Sequence, residues 1–109
     1  MDRHPSVVHV VLSENFAGVE RYVCHVANET ARRGWRVSVV GGRPESMRSS
    51  LAESVSWLPG SNLQVGFASL WKVGQVDVCH VHMTAAELLA TATRSIHRAP
   101  VVATRHFAA

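Results

Sequence analysis

The chain has 109 residues, a formal charge of +3 at neutral pH and 47% hydrophobic residues. That length holds one small domain and excludes two, and the apolar content excludes a disordered chain. Ten arginines and one lysine carry the positive charge, but they are spread along the chain, which excludes an obvious nucleic-acid-binding stripe.

Residues 6–12, "SVVHVVL", are valine-rich and apolar at nearly every position, as a strand covered on both faces reads. Gly18 marks a turn. Beyond it Val19, Tyr22, Val23, Val26, Ala27 and Ala31 recur at spacings of three and four, which predicts a helix with one apolar face. Glu20 in its first turn and Arg32 and Arg33 in its last suit the helix dipole, and Gly34 stops it. Residues 36–40 read as a second strand, ended by Gly41 and Gly42. A short helix is expected over 45–53 and a short strand over 55–58, before Pro59 and Gly60. Leu63, Phe67, Leu70 and Trp71 share a helical face, so a helix is expected over 62–73 in spite of Gly66.

The last third is sharper. Residues 76–82, "VDVCHVH", predict a strand. "TAAE", residues 84–87, has the spacing of a capping box, in which Thr84 accepts from the amide of Glu87 and the carboxylate reaches back. The helix it opens runs to about His97. Ala99 and Pro100 close the turn, and residues 101–105 give the next strand. Alternating strands and helices imply an α/β domain with a doubly wound parallel sheet and right-handed crossovers, in the default strand order 3-2-1-4-5. Ligands of such sheets bind beyond the carboxyl ends of the strands, where the order reverses. Three loops therefore share the expected rim: residues 15–20, 82–84 and 105–107.

The chemistry of that rim narrows the choice. Gly18 sits where backbone amides at a helix start can meet a phosphate or another anion, and a glycine lets the ligand come close. An ordinary tight turn would use the same glycine. No G-x-G-x-x-G fingerprint is present, and the second strand ends in "VVGGRP" where an acidic ribose partner belongs, so a nicotinamide cofactor is disfavoured. The acidic cluster of a phospho-receiver domain is missing too. His80 and His82 alternate on one strand and so face the same side, with Cys79 opposite. Such a pair can be half a metal site, or a strand-end pair with one ring buried and one at the rim. Spacing dictates no third ligand, and no metal is assigned. His106 follows the last strand, either as a surface histidine or as a rim group for hydrogen bonding or proton transfer. The two cysteines, Cys24 and Cys79, sit inside apolar patterns and are expected as buried free thiols, which suits a reducing compartment. No signal peptide or membrane-length apolar run is seen, so a cytoplasmic protein is expected.

Three stretches carry a resemblance to a known family. "GVERYVCHVANETARRGWRVSVV" resembles the first helix and second strand of the retaining glycosyltransferases of family 4, which have the GT-B fold. Their N-terminal domains commonly read Gly-Gly-x-Glu-Arg at this turn and Arg-Gly-x-x-Val after the helix. "DVCHVHMTAAELLATA" resembles a later strand and helix, and "APVVATRHF" a Pro-Val-Val-x-Thr-x-His strand. The resemblance implies a Rossmann-like half of a GT-B fold and transfer of a sugar from a nucleotide-sugar donor to an acceptor with retention. It implies no cofactor. It places Gly18 near donor phosphate and acceptor, Glu20 at an acceptor contact, His106 beside the reacting sugar, and His82 as a neighbour. Ala17 stands where the family has its first glycine, and its methyl group restricts the approach. The acceptor would be a sugar, a polyol or a lipid-linked molecule, the last entailing peripheral membrane contact. In that family the donor is held mainly by a second domain with a Glu-x7-Glu motif. Glu45 and Glu53 have the spacing but no glycine-rich loop before them, and are expected as solvated helix residues. Residues 1–109 thus read as a partial, acceptor-side N-terminal domain. The alternative is a non-catalytic binding or partner module on the same half-fold.

Overall fold

The computed structural model describes residues 4–82, 98 and 100–104. In chain order the elements are β1 (Ser6–Val11), α1 (Gly18–Arg32), β2 (Arg36–Val40), α2 (Pro44–Ser50), β3 (Ser56–Leu58), α3 (Leu63–Val73), β4 (Val78–His82) and β5 (Val101–Thr104). All the strand pairings are parallel, and the order across the sheet is β3-β2-β1-β4-β5. This is the doubly wound arrangement expected from the alternation of elements. The capping box at Thr84, the helix after it and residues 105–107 lie outside the described residues.

The central strand explains the two cores. Residues alternate across a strand, so β1 sends Val7 and Val11 to one face and Val8 and Val10 to the other. On the first face they pack with Val23, Cys24 and Ala27 of α1, Val37 and Val39 of β2, and Met47 of α2. On the second they pack with Val40, Leu70 of α3, Cys79 and Val81. Each fully buried valine or leucine contributes about 1.5–3 kcal/mol from area removed from water. Both cysteines are buried free thiols, and burial raises Cys24 to about 11 and Cys79 to about 12. Among the described residues no helix is long and apolar enough to cross a membrane.

Element ends are set by local chemistry. Asn62 caps α3, its side-chain oxygen accepting from the Val65 amide at 3.0 Å. α2 is shorter than expected. It starts on Pro44 and stops at Ser50, because Asn28 of α1 brackets its end, donating to the Ser50 carbonyl at 2.9 Å and accepting from the Ala52 amide at 2.8 Å. That tertiary contact turns Leu51 to extended backbone and leaves Glu53 in the next turn. Glu45 and Glu53 are both exposed, as expected of solvated residues. At the start of the sheet the Asp77 carboxylate accepts from the Ser6 amide at 2.7 Å and from its hydroxyl at 3.2 Å, which pins β4 to β1.

The carboxyl ends of β1 and β2 meet at a pair of glycines. Gly41 has φ of 107° and Gly42 has φ of 85°, a region L side chains rarely adopt. A Cβ on Gly41 would lie 1.5 Å from the Val11 carbonyl oxygen. From there the Gly42 amide donates to Ser13 at 2.9 Å and the Arg43 amide to Asn15 at 2.8 Å, fastening the loop after β1 to the loop after β2. Gly18 is different: its φ is not positive, and a Cβ there meets nothing within 4 Å.

Substitution of the two glycines is therefore expected to diverge. Gly41→Ala should destabilise the domain by at least about 3 kcal/mol, from backbone strain and overlap with a main-chain oxygen. Gly18→Ala should leave stability unchanged or raise it by up to about 1 kcal/mol through helix propensity. Denaturant unfolding of both variants checks this, and equal effects would contradict the rim geometry.

Candidate functional site

The rim is built on the turn from β1 into α1. Ala17 is the N-cap of α1 and offers no side-chain acceptor, so only half a capping box forms. Glu20 supplies it. One carboxylate oxygen accepts from the Ala17 amide at 2.7 Å, and the other accepts from the Ser13 hydroxyl at 2.9 Å. A carboxylate in the first turn is favoured by the helix dipole, and the contacts hold Glu20 at 3% exposure. Sequence reasoning placed Glu20 at an acceptor contact; the fold places it under the turn, with both oxygens engaged by the chain itself. Gly18 in the same turn is exposed, and nothing among the described residues comes within 4 Å of a Cβ built on it. Next to it the Arg21 guanidinium lies 5.2 Å from the centre of the Phe16 ring. A cavity of about 440 Å³ opens on the same rim, between Leu12 after β1 and residues 61–64 at the start of α3.

His82 stands at the carboxyl end of β4, level with Val11 at the end of β1. It is the last residue of β4, fully buried, on the face of the sheet that α1 covers, with Tyr22 of α1 edge-on at 6.0 Å between ring centres. The parallel register sets His9 of β1 opposite His80 of β4, and Val11 opposite His82. Three imidazoles consequently share one face. Ring centres are 5.2 Å apart for His9 and His80, 5.8 Å for His9 and His82, and 4.3 Å for His80 and His82. Each ring can bring one nitrogen to a common group in which those atoms lie within 4.8 Å of one another. His9 is 2% exposed, and neither of its ring nitrogens has a hydrogen-bond partner among the described residues. Burial, and secondarily the charge His80 can carry, lower His9 to about 4. A shallow cavity of about 170 Å³ reaches His9 and His80 between Val26, Thr30 and Trp35.

The structure thus brings Gly18 and Glu20 together in one turn and sets His82 in a histidine cluster. His106 lies outside the described residues. Sequence reasoning paired His80 with His82 but missed His9. The signal was there in the alternation of β1, where His9 interrupts the valine face, yet it needed the β1–β4 register to become a cluster.

Comparison with known proteins gives one match. The family model described as Glycosyltransferase Family 4 matches residues 16–109. No curated protein and no solved structure matches the chain.

The state of His9 has a consequence for stability against pH. The folded chain holds it neutral down to about 4, whereas in the unfolded chain it protonates near 6.5. Its contribution is complete above pH 6.5 and is lost as pH falls toward 4, by about 3 kcal/mol in all. Denaturant unfolding of chelator-treated protein at pH 7 and pH 4.5 should show a larger loss in wild type than in His9→Leu. Equal losses would contradict a neutral, buried His9.

Proposed function

Because the chain belongs to glycosyltransferase family 4, we propose that it forms the acceptor-side, N-terminal half of a GT-B enzyme that moves a sugar from a nucleoside diphosphate sugar to an acceptor with retention. The family match over residues 16–109 carries the reading. The geometry of the first turn supports it. The amides of a first helical turn have no acceptor inside the helix. Glu20 takes that of Ala17, and among the described residues those of Gly18 and Val19 meet no acceptor, which leaves them for one from outside. Among the described residues no side chain fills the space in front of Gly18, so a phosphate or a sugar hydroxyl can approach the backbone there. Arg21 beside the turn adds positive charge.

Roles follow from these placements. Gly18 admits the substrate, and Glu20 acts as a positioning residue that holds the turn in shape through Ser13 and Ala17. His106, by resemblance to the family, hydrogen-bonds the reacting sugar. Donor-holding groups come from outside these residues, since Glu45 and Glu53 are exposed and separated by the end of α2. The working location is the cytoplasm, in keeping with two free buried thiols. A non-catalytic binding or partner module on the same half-fold is the second reading.

Transfer requires donor and acceptor in near-attack geometry, so the purified 109-residue chain should transfer no sugar above the rate in buffer. Steady turnover of any nucleoside diphosphate sugar by this chain would overturn the division of labour proposed.

In the enzyme that contains this domain, Gly18→Val should weaken substrate binding at least about tenfold, about 1.4 kcal/mol, with the melting temperature held. The space is open and φ is ordinary, so the effect on binding separates from any effect on folding. His106→Ala should lower kcat more than it weakens binding. Binding titrations and steady-state rates decide; if both variants match wild type, this rim is not the sugar site and the module reading gains.

A further inference from the structure

The histidine cluster on the α1 face of the sheet is costly as packing. β1 otherwise presents Val7 and Val11 to this face, and a valine at position 9 would serve the core equally well. Buried polar atoms in folded proteins almost always have partners, and each orphan typically costs about 1–3 kcal/mol. His9 leaves both ring nitrogens without one among the described residues, in the middle of the central strand. Two further imidazoles, from β4, converge on the same place. His9 also precedes the segment that matches the family model, so the cluster spans matched and unmatched parts of the chain.

We propose that His9, His80 and His82 form a binding site for a first-row divalent metal ion of the zinc class, with a fourth coordination position facing the cavity beside His80. The residue types select the ion. Imidazole nitrogen suits zinc, copper, nickel and iron, whereas magnesium and calcium require oxygen ligands. Three histidines with an open fourth position are a known donor set for zinc. The arrangement fits such a site. Two ligands alternate on β4, and the third comes from the adjacent strand at the register point opposite His80. Nitrogens bound at 2.0–2.1 Å around a tetrahedral ion stand about 3.4 Å from one another. The cluster's nitrogens lie within 4.8 Å, so small rotations of the three rings, about 1.4 Å at most, close the site. The cavity of about 170 Å³ reaches His9 and His80, which gives the ion an entry path and room for a water or an outside ligand. Cys24 and Cys79 take no part: Cys79 points to the opposite face of the sheet, and the Cys24 thiol lies 3.6 Å from the Met47 sulfur.

The test uses the full 109-residue chain, stripped with chelator and titrated with cobalt(II). One cobalt per chain should bind with the intense visible absorption of a four-coordinate ion and without a thiolate charge-transfer band. Zinc should displace it and raise the melting temperature of wild type by mass action. Loss of a metal-bound histidine should cost at least as much as loss of its outer-shell partner, so His9→Gln and His80→Gln should each weaken binding at least about tenfold. His25→Gln, at an exposed position on α1, should bind as wild type does. Weak, six-coordinate cobalt binding that is indifferent to His9→Gln and His80→Gln would overturn the proposal. So would zinc that leaves the wild-type melting temperature unchanged, a readout that stands even where a variant fails to fold.

Discussion

β1 is hydrogen-bonded along both edges, to β2 and to β4, and covered on both faces. A strand in that position has no solvent side, so each of its side chains must fit a packed core and each of its backbone groups must lie in a ladder. Everything functional in the domain is arranged around this constraint. The carboxyl end of β1 is where the chain escapes into the loop that shapes the rim. The one buried polar side chain of β1, His9, is where the core departs from apolar packing.

The rim is stiff because its parts brace one another through main-chain bonds. Gly41 allows β2 to come against the end of β1, and the next two amides bind the loop that leads to α1. Glu20 then closes that loop from the helix side. The result is a braced frame that, among the described residues, leaves the start of α1 at Gly18 open. Rigid frames with an open helix terminus suit a phosphate or a sugar hydroxyl, because the dipoles are fixed before the ligand arrives and need no reorganisation. The frame and the histidine cluster are separate in chemistry. One offers backbone donors beyond the carboxyl end of β1; the other offers imidazole acceptors beneath α1.

Much of the fold was legible in the sequence. The continuous valine run of β1, the three-and-four spacing of α1 and the alternation of β4 each follow from local geometry, and together they imply the strand order. The ends were less legible where a distant residue sets them. Asn28 stops α2, and nothing within residues 44–53 announces it. The site was legible in part. Gly18 stood out as a lone glycine at a helix start, but the sequence could not show that its space is open while that of Gly41 is filled. Glu20 was legible as a first-turn carboxylate, but its burial depends on Ser13. His9 was hidden for a different reason: a cluster across parallel strands is a property of register, and register between β1 and β4 spans most of the chain.

The central claim is that the start of α1 receives the substrate. Amide NMR of the isotopically labelled chain, titrated with a panel of nucleoside diphosphate sugars and simple sugar acceptors, tests it most directly, since weak contacts still shift amides. The account predicts saturable shifts centred on the amides of Gly18, Val19 and Glu20, with the amides beside His9 and His80 unmoved. Saturable shifts confined to other parts of the chain, with the first turn of α1 silent to every ligand, would contradict it.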